Sequence, residues 1–257
     1  MNDAQRAAWE ALGLGPLWRL RESHRGVGES CAAPVSSGSP GPAVAGGQTG
    51  RDPVPRMDWD ALRAAVSACE ACALSRGRTQ TVFGVGPTSA PWMLIGEAPG
   101  AEEDARGEPF VGQAGRLLDN MLSSIGLSRS RDVFIANVLK CRPPRNRDPL
   151  PEEVARCEPF LARQIELLSP RIIVVMGRFA AQSLLRTDAS IASLRGRLHG
   201  YRLAGRLVPV VVTYHPAYLL RNLGDKAKAW SDLCLARDCF ERSGDVVEGD
   251  PPAHAGA

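Results

Sequence analysis

The chain has 257 residues, 44% of them hydrophobic, with 31 lysines and arginines against 28 carboxylates and a formal charge of +3. That apolar content suits one large folded domain, and no uninterrupted run reaches the roughly 18 apolar residues that a membrane span needs. Between residues 57 and 240 there are 24 basic against 19 acidic side chains, a balance that permits a nucleic-acid partner without requiring one.

The first residues, with Asp3 and Glu10 soon after Met1, show neither the basic segment nor the apolar core of a secretory signal, so a cytoplasmic location is expected. In that reducing setting seven cysteines favour metal binding over disulfides. Residues 1–22 form a short amphipathic element (Ala8, Trp9, Leu12, Leu14) interrupted by Gly13, Gly15 and Pro16. It suits either packing back on the domain or tethering a replication or repair protein. Residues 23–56 read as a disordered linker rich in Gly, Ser and Pro. The folded domain is expected over 57–241 and a disordered acidic tail over 242–257, with no signal for assembly beyond a monomer.

Trp59, Leu62, Ala65 and Val66 suit a helix that leads into Cys69 and Cys72. Beyond it, apolar runs of strand length at Trp92–Ile95, Val133–Val138, Ile172–Met176 and Val208–Val212 alternate with helical patterns at Gln113–Ile125, Pro151–Leu168, Arg178–Leu185 and Asp225–Phe240. Short unbroken apolar strands alternating with helices predict a three-layer α/β/α sandwich around a central, mainly parallel, four-stranded sheet. Ligands of such sheets bind at the carboxyl ends of the strands, where the loops 97–112, 137–147 and 214–221 would converge.

Cys69 and Cys72 have metal-ligand spacing, and a second pair, Cys141 and Cys157, can close the same site only through the fold. Four thiolates without histidine suit zinc or an iron-sulfur cluster, and spacing alone puts zinc ahead. Cys31, Cys234 and Cys239 are left as ordinary thiols. The segment Gly96-Glu97-Ala98-Pro99-Gly100 and the following Gly107-Glu108-Pro109-Phe110-Val111-Gly112 make a loop that ends at a helix start. Glycines before a helix suit a phosphate, but the carboxylates at 97, 102, 103 and 104 argue against a simple phosphate cradle.

These loop motifs, His215-Pro216 and the four-cysteine spacing together closely resemble the family-4, iron-sulfur uracil-DNA glycosylases. The resemblance runs from Cys69 to Arg221. It implies the uracil-DNA glycosylase-like fold, single- or double-stranded DNA containing uracil as substrate, and hydrolysis of the N-glycosidic bond to leave an abasic site and initiate base excision repair. It also implies a 4Fe-4S cluster on Cys69, Cys72, Cys141 and Cys157, with zinc as the alternative.

The same resemblance assigns roles residue by residue. His215 would donate to uracil O2 as the base departs. Better-known branches of the superfamily carry a catalytic aspartate where this chain has Ala98, so water positioning would pass to Glu97 or to the substrate and the pocket. Ala98, Glu103, Phe110 and Asn137 would line the base, with Phe110 as the stacking platform, Asn137 reading O4 and N3–H, and Glu103 set against a thymine methyl. Arg142, Arg145 and Arg147 on a proline-stiffened loop would hold phosphates, and a loop carrying Leu219 and Arg221 would enter the duplex beside the flipped base. A branch that binds uracil-DNA covalently carries a basic insertion with an extra histidine near the second loop, and this chain runs from Asn137 through Lys140 straight into Cys141-Arg-Pro-Pro. Another damaged-base preference within the superfamily, or a non-catalytic DNA-binding accessory, are the competing functions.

Overall fold

The structure, a computed structural model, describes residues 54–244; the amphipathic element at 1–22, the linker up to residue 53, Cys31 and the tail beyond 244 lie outside the described residues. In chain order the elements are α1 (Trp59–Ser67), β1 (Trp92–Gly96), α2 (Ala101–Arg106), α3 (Gln113–Ser124), β2 (Val133–Asn137), α4 (Pro151–Leu168), β3 (Ile172–Met176), α5 (Arg178–Leu185), α6 (Ile191–Leu194), β4 (Leu198–Leu203), β5 (Arg206–Thr213), α7 (Pro216–Arg221) and α8 (Lys226–Gly244).

Strands β1, β2 and β3 are buried along their whole length, which is why each reads as an unbroken apolar run. They pair in parallel in the order β2-β1-β3-β5, and β4 adds an antiparallel fifth strand at the edge beside β5. The sheet thus has five strands where four were expected. The added strand is the first arm of a hairpin whose two-residue turn, Ala204-Gly205, takes positive φ at both positions (46° and 85°). At the opposite edge Val85 exchanges hydrogen bonds with Ile135 of β2, covering groups that would otherwise be open to another strand.

Alternation along the strands sorts the core into two layers. Met93, Ile95, Phe134, Ala136, Ile173 and Val175 face α1, α4 and α5, while Trp92, Leu94, Val133, Ile135, Ile172 and Val174 face α3 and α8. The connection after β1 therefore crosses one face and the connection after β3 the other. Their divergence opens a crevice at the carboxyl ends of these two neighbouring strands.

Helix ends follow local chemistry. Asp58 caps α1 by accepting from the Ala61 amide (2.9 Å), and Pro151 opens α4, where the Glu153 carboxylate accepts from the Leu150 amide (2.9 Å). The linker boundary shifts slightly, since Val54–Arg56 already form a 3-10 turn with Val54 against the core. Residues 214–221, expected as a loop, instead hold α7, which begins with Pro216 immediately after its capping residue His215.

Candidate active site and cysteine cavity

Asn137 ends β2 in register with Gly96, which ends β1. The Asn137 side chain is 2% exposed, and its Oδ1 is buried without a hydrogen-bond partner. A Cβ on Gly96 would run into that Oδ1 and into the Phe110 ring, so the missing side chain is what leaves room beside them. Phe110 stacks on His215, with ring centroids 5.3 Å apart and planes at 29°. Loops after three different strands thus bring an aromatic face, a buried amide and an imidazole to one place.

The Phe110 backbone sits at φ 56°, a left-handed conformation unusual for a bulky residue. Arg129 holds it there by donating to the carbonyls of Pro109 and Phe110, both at 2.9 Å, and Gly115 lies so close beneath the Phe110 carbonyl that a Cβ would collide with it. His215 is fixed from two sides. Its Nδ1 accepts the Ala217 amide at 3.1 Å, which leaves the proton of the neutral ring on Nε2, and Gly177, at φ 95°, presses close to its Cβ. Burial lowers the imidazole to about 4, partly offset by the charge of Glu103 and aided by that of Arg221. The ring is therefore neutral near pH 7 and presents one N–H donor.

The first-loop carboxylates make contacts of their own. Glu97 continues the alternation of Met93 and Ile95 and lines a cavity of about 490 Å³ with Val138, Val154, Glu158, Phe179 and Arg186; none of Phe110, Asn137 and His215 lines it. Burial foremost, with the charge of Asp148, raises Glu97 to about 7 against the pull of Arg178. The two oxygens of Glu103 accept the Gly100 and Val111 amides, both at 3.1 Å, and thereby shape the loop that carries Phe110, while its charge reaches His215. Ala98 packs toward Leu74, Leu139 and Cys141.

Cys69, Cys72, Cys141 and Cys157 line one small cavity, about 20 Å³, at the junction of α1, the loop after β2 and α4. No histidine or carboxylate shares that lining. Among the described residues no group of three or more His, Cys, Asp or Glu side chains is arranged to hold a single metal ion. The donors around it fit thiolates: Arg78 Nη1 donates to Cys141 Sγ and the Lys140 amide to Cys157 Sγ, both at 3.3 Å. Burial pushes the Cys157 thiol up to about 11 despite the nearby Lys140 charge, and raises Cys141 as well. Cys234 and Cys239 are buried in the α8 layer, apart from this cavity.

The profile of the uracil DNA glycosylase superfamily matches residues 83–234, which span every element of the Phe110–Asn137–His215 site. The chain belongs to this superfamily. It is 48% identical over 159 residues to a type-4 uracil-DNA glycosylase of Archaeoglobus fulgidus, an alignment covering 60% of this chain and 79% of that protein. Type-4 uracil-DNA glycosylases of Pyrobaculum aerophilum and Thermotoga maritima are 42% and 43% identical, each alignment covering 70% of this chain and 93% of the relative. These relatives place the chain in the type-4 branch of the glycosylase superfamily.

On this glycosylase scaffold the expected DNA contacts divide. Arg145 and Arg221 are exposed, and Arg142 is partly exposed with its Nε on Asn146 Oδ1 at 2.7 Å. Arg147 instead forks onto the buried Glu153 carboxylate and also donates to the Asp148 carbonyl, so its role as a phosphate contact gives way to clamping the loop onto α4. Leu219, expected at the duplex, is 1% exposed, because the helical turn of α7 directs it inward beside Tyr214 and Ala229; its neighbour Leu220, 38% exposed, faces out. Sequence reasoning missed Arg129, which pins the platform, and Lys140, a buried lysine whose Nζ donates to the Asn137 carbonyl at 2.8 Å. Burial lowers that ammonium to about 8, against the charges of Cys157 and Cys141. The only sequence signal for it was a lysine standing one residue before a metal-type cysteine.

Proposed function

We propose that this protein excises uracil from DNA: it flips the nucleotide out of the stack, releases free uracil by hydrolysing the N-glycosidic bond and leaves an abasic site as the first step of base excision repair. The observation that carries the reading is the buried, partnerless Oδ1 of Asn137 facing the bare Cα of Gly96 beside the Phe110–His215 stack. A buried acceptor without a partner costs about 1–3 kcal/mol, a cost that a ligand N–H removes. Uracil offers N3–H to that oxygen and O4 to the amide N–H of the same side chain. Cytosine presents the reverse pattern at both atoms, so one oriented amide discriminates between them.

With Ala98 where related branches carry an aspartate, leaving-group stabilisation by His215 is the main catalytic device and Glu97 is secondary. The neutral His215 Nε2–H donates to uracil O2 as negative charge gathers there, and a donor fixed in advance needs no reorganisation at that moment. Arg145, Arg142 and Arg221 supply the positive rim for the phosphates. An oligonucleotide with one uracil, tested single-stranded and opposite A or G, should become cleavable by alkali at that position after incubation with the protein. Intact strands under single-turnover conditions would favour the non-catalytic DNA-binding reading.

The acid limb of the excision rate should follow the low value of His215. From about pH 8 down to about pH 5 the single-turnover rate is expected to be flat, because the imidazole stays neutral until the pH approaches 4. An inflection near neutrality would contradict this and bring either an ordinary histidine or Glu97 into the mechanism. The linked stability effect has a definite sign. Between the ordinary value of 6.5 and the folded value of about 4, the unfolded chain binds the proton and the folded chain does not, so stability at this site falls as pH drops through that window.

The four cysteines would hold a 4Fe-4S cluster, whose contribution when bound is structural, clamping the end of α1 to the loop at 141 and to α4. An all-cysteine lining with N–H donors aimed at two of the sulfurs suits a thiolate-held centre, and the likeness to type-4 uracil-DNA glycosylases favours a cluster over a single zinc ion. Protein purified without oxygen should be yellow-brown, with about four iron atoms per chain and a broad visible absorption that acid abolishes. Stoichiometric zinc without iron would overturn the cluster assignment.

A further inference from the structure

Lys140 is 1% exposed, and neither of its hydrogen-bond acceptors is a carboxylate. Its Nζ donates to the main-chain oxygen of Asn137 at 2.8 Å and to Gln164 Oε1 at 2.6 Å, while Gln164 Nε2 donates onward to the Phe83 carbonyl at 2.8 Å. The amide of the same lysine donates to Cys157 Sγ at 3.3 Å, and Lys140 lines the four-cysteine cavity together with Arg78. A buried ammonium is tolerated only where negative charge compensates it. The acceptors on Asn137 and Gln164 are neutral, so the compensating charge must come from the cysteine side. A metal centre held by four thiolates is net negative, and three cations, Arg78, Lys140 and Arg156, line its cavity, of which Lys140 is the buried one.

We propose that Lys140 is a positioning residue that couples the cysteine-held cluster to the uracil-reading amide. The cluster's charge keeps the ammonium in place, and the ammonium holds the carbonyl of Asn137 where β2 ends, which sets the direction of the side chain bearing the partnerless Oδ1. The segment around it has few other ties in this direction. Val138 and Leu139 bond back to the Gly96 and Glu97 carbonyls of the neighbouring chain segment, both at 3.0 Å, and Lys140 then ties the turn to α4 through Gln164. This inference rests on the uracil-excision reading and on a bound cluster, and its test separates the three.

The test is a cycle of four full-chain proteins: wild type and Lys140→Met, each with its cluster and after anaerobic removal of iron by a chelator. Melting temperature, cluster reduction potential and single-turnover uracil release are the readouts. In the wild type, iron removal strands a buried charge, so the melting temperature should fall further than in Lys140→Met, where no charge is stranded. With the cluster in place, Lys140→Met should lower the reduction potential, because a cation that favours the added electron has gone. It should also release uracil at least tenfold more slowly at saturating enzyme while binding DNA with unchanged affinity. If Lys140→Met yields no folded protein, Lys140→Arg keeps the charge and displaces the Asn137 contact, so it should retain the wild-type response to iron removal while losing uracil release. Equal melting losses on iron removal in wild type and Lys140→Met, or wild-type uracil release by both variants, would overturn the coupling. A wild type that holds the cluster but releases no uracil would instead defeat the functional reading, and a wild type without iron would defeat the cluster assignment.

Discussion

Replacement of His215 by alanine is expected to lower the single-turnover rate of uracil release by roughly a hundred- to thousandfold, or about 2.7–4 kcal/mol of transition-state stabilisation, the usual cost of removing one preorganised donor. DNA affinity should change little, because the Nε2–H bond to uracil O2 strengthens only as charge accumulates on the departing base. The geometry gives this donor unusual weight. Its tautomer is set by the Ala217 amide, its ring is held against Phe110, and the nearby carboxylates Glu97 and Glu103 face another cavity and two backbone amides. Ala98→Asp is the converse substitution, but the Ala98 methyl packs toward Leu74 and Leu139, so restored water positioning is expected to compensate only weakly. A rate for His215→Ala within about threefold of wild type, less than the 1.4 kcal/mol that a tenfold change represents, would remove the histidine from the mechanism.

Asn137→Asp should have the next largest effect. It replaces the amide donor that meets uracil O4 with an acceptor, in a position only 2% exposed. One buried mismatch of this kind costs about 1–3 kcal/mol, so uracil release should fall about ten- to a hundredfold. The new acceptor can pair with cytosine N4–H, and release of cytosine from a uracil-free strand is the corresponding gain to look for. Uracil release at the wild-type rate with no change in base preference would show that this amide does not read the base.

The parallel strands are legible in the sequence because both faces of each are covered, so the apolar runs are unbroken. The edge strand β4 is not, since Leu198-His-Gly-Tyr-Arg-Leu alternates large and polar side chains that are half-exposed, and its pairing depends on the Ala204-Gly205 turn. Helix α7 did carry a signal, a proline directly after a capping residue, and helical spacing rather than loop exposure then decides that Leu219 goes inward and Leu220 outward. Phe110, Asn137 and His215 are recognisable from their motifs. What their neighbours do is not, because strand parity sends Glu97 to the opposite face and side-chain bonds to backbone amides occupy Glu103. Arg147 and Lys140 find their partners, Glu153 and Gln164, on α4, in contacts that only the tertiary path creates.

Direct detection of the released base tests the central claim most sharply. The wild-type protein, in excess over an oligonucleotide carrying one isotopically labelled uracil, should liberate labelled free uracil with one abasic site formed per uracil, and should liberate neither thymine nor cytosine from matched control strands. Bound DNA that yields no free uracil, or equal release of thymine from the control, would contradict the account.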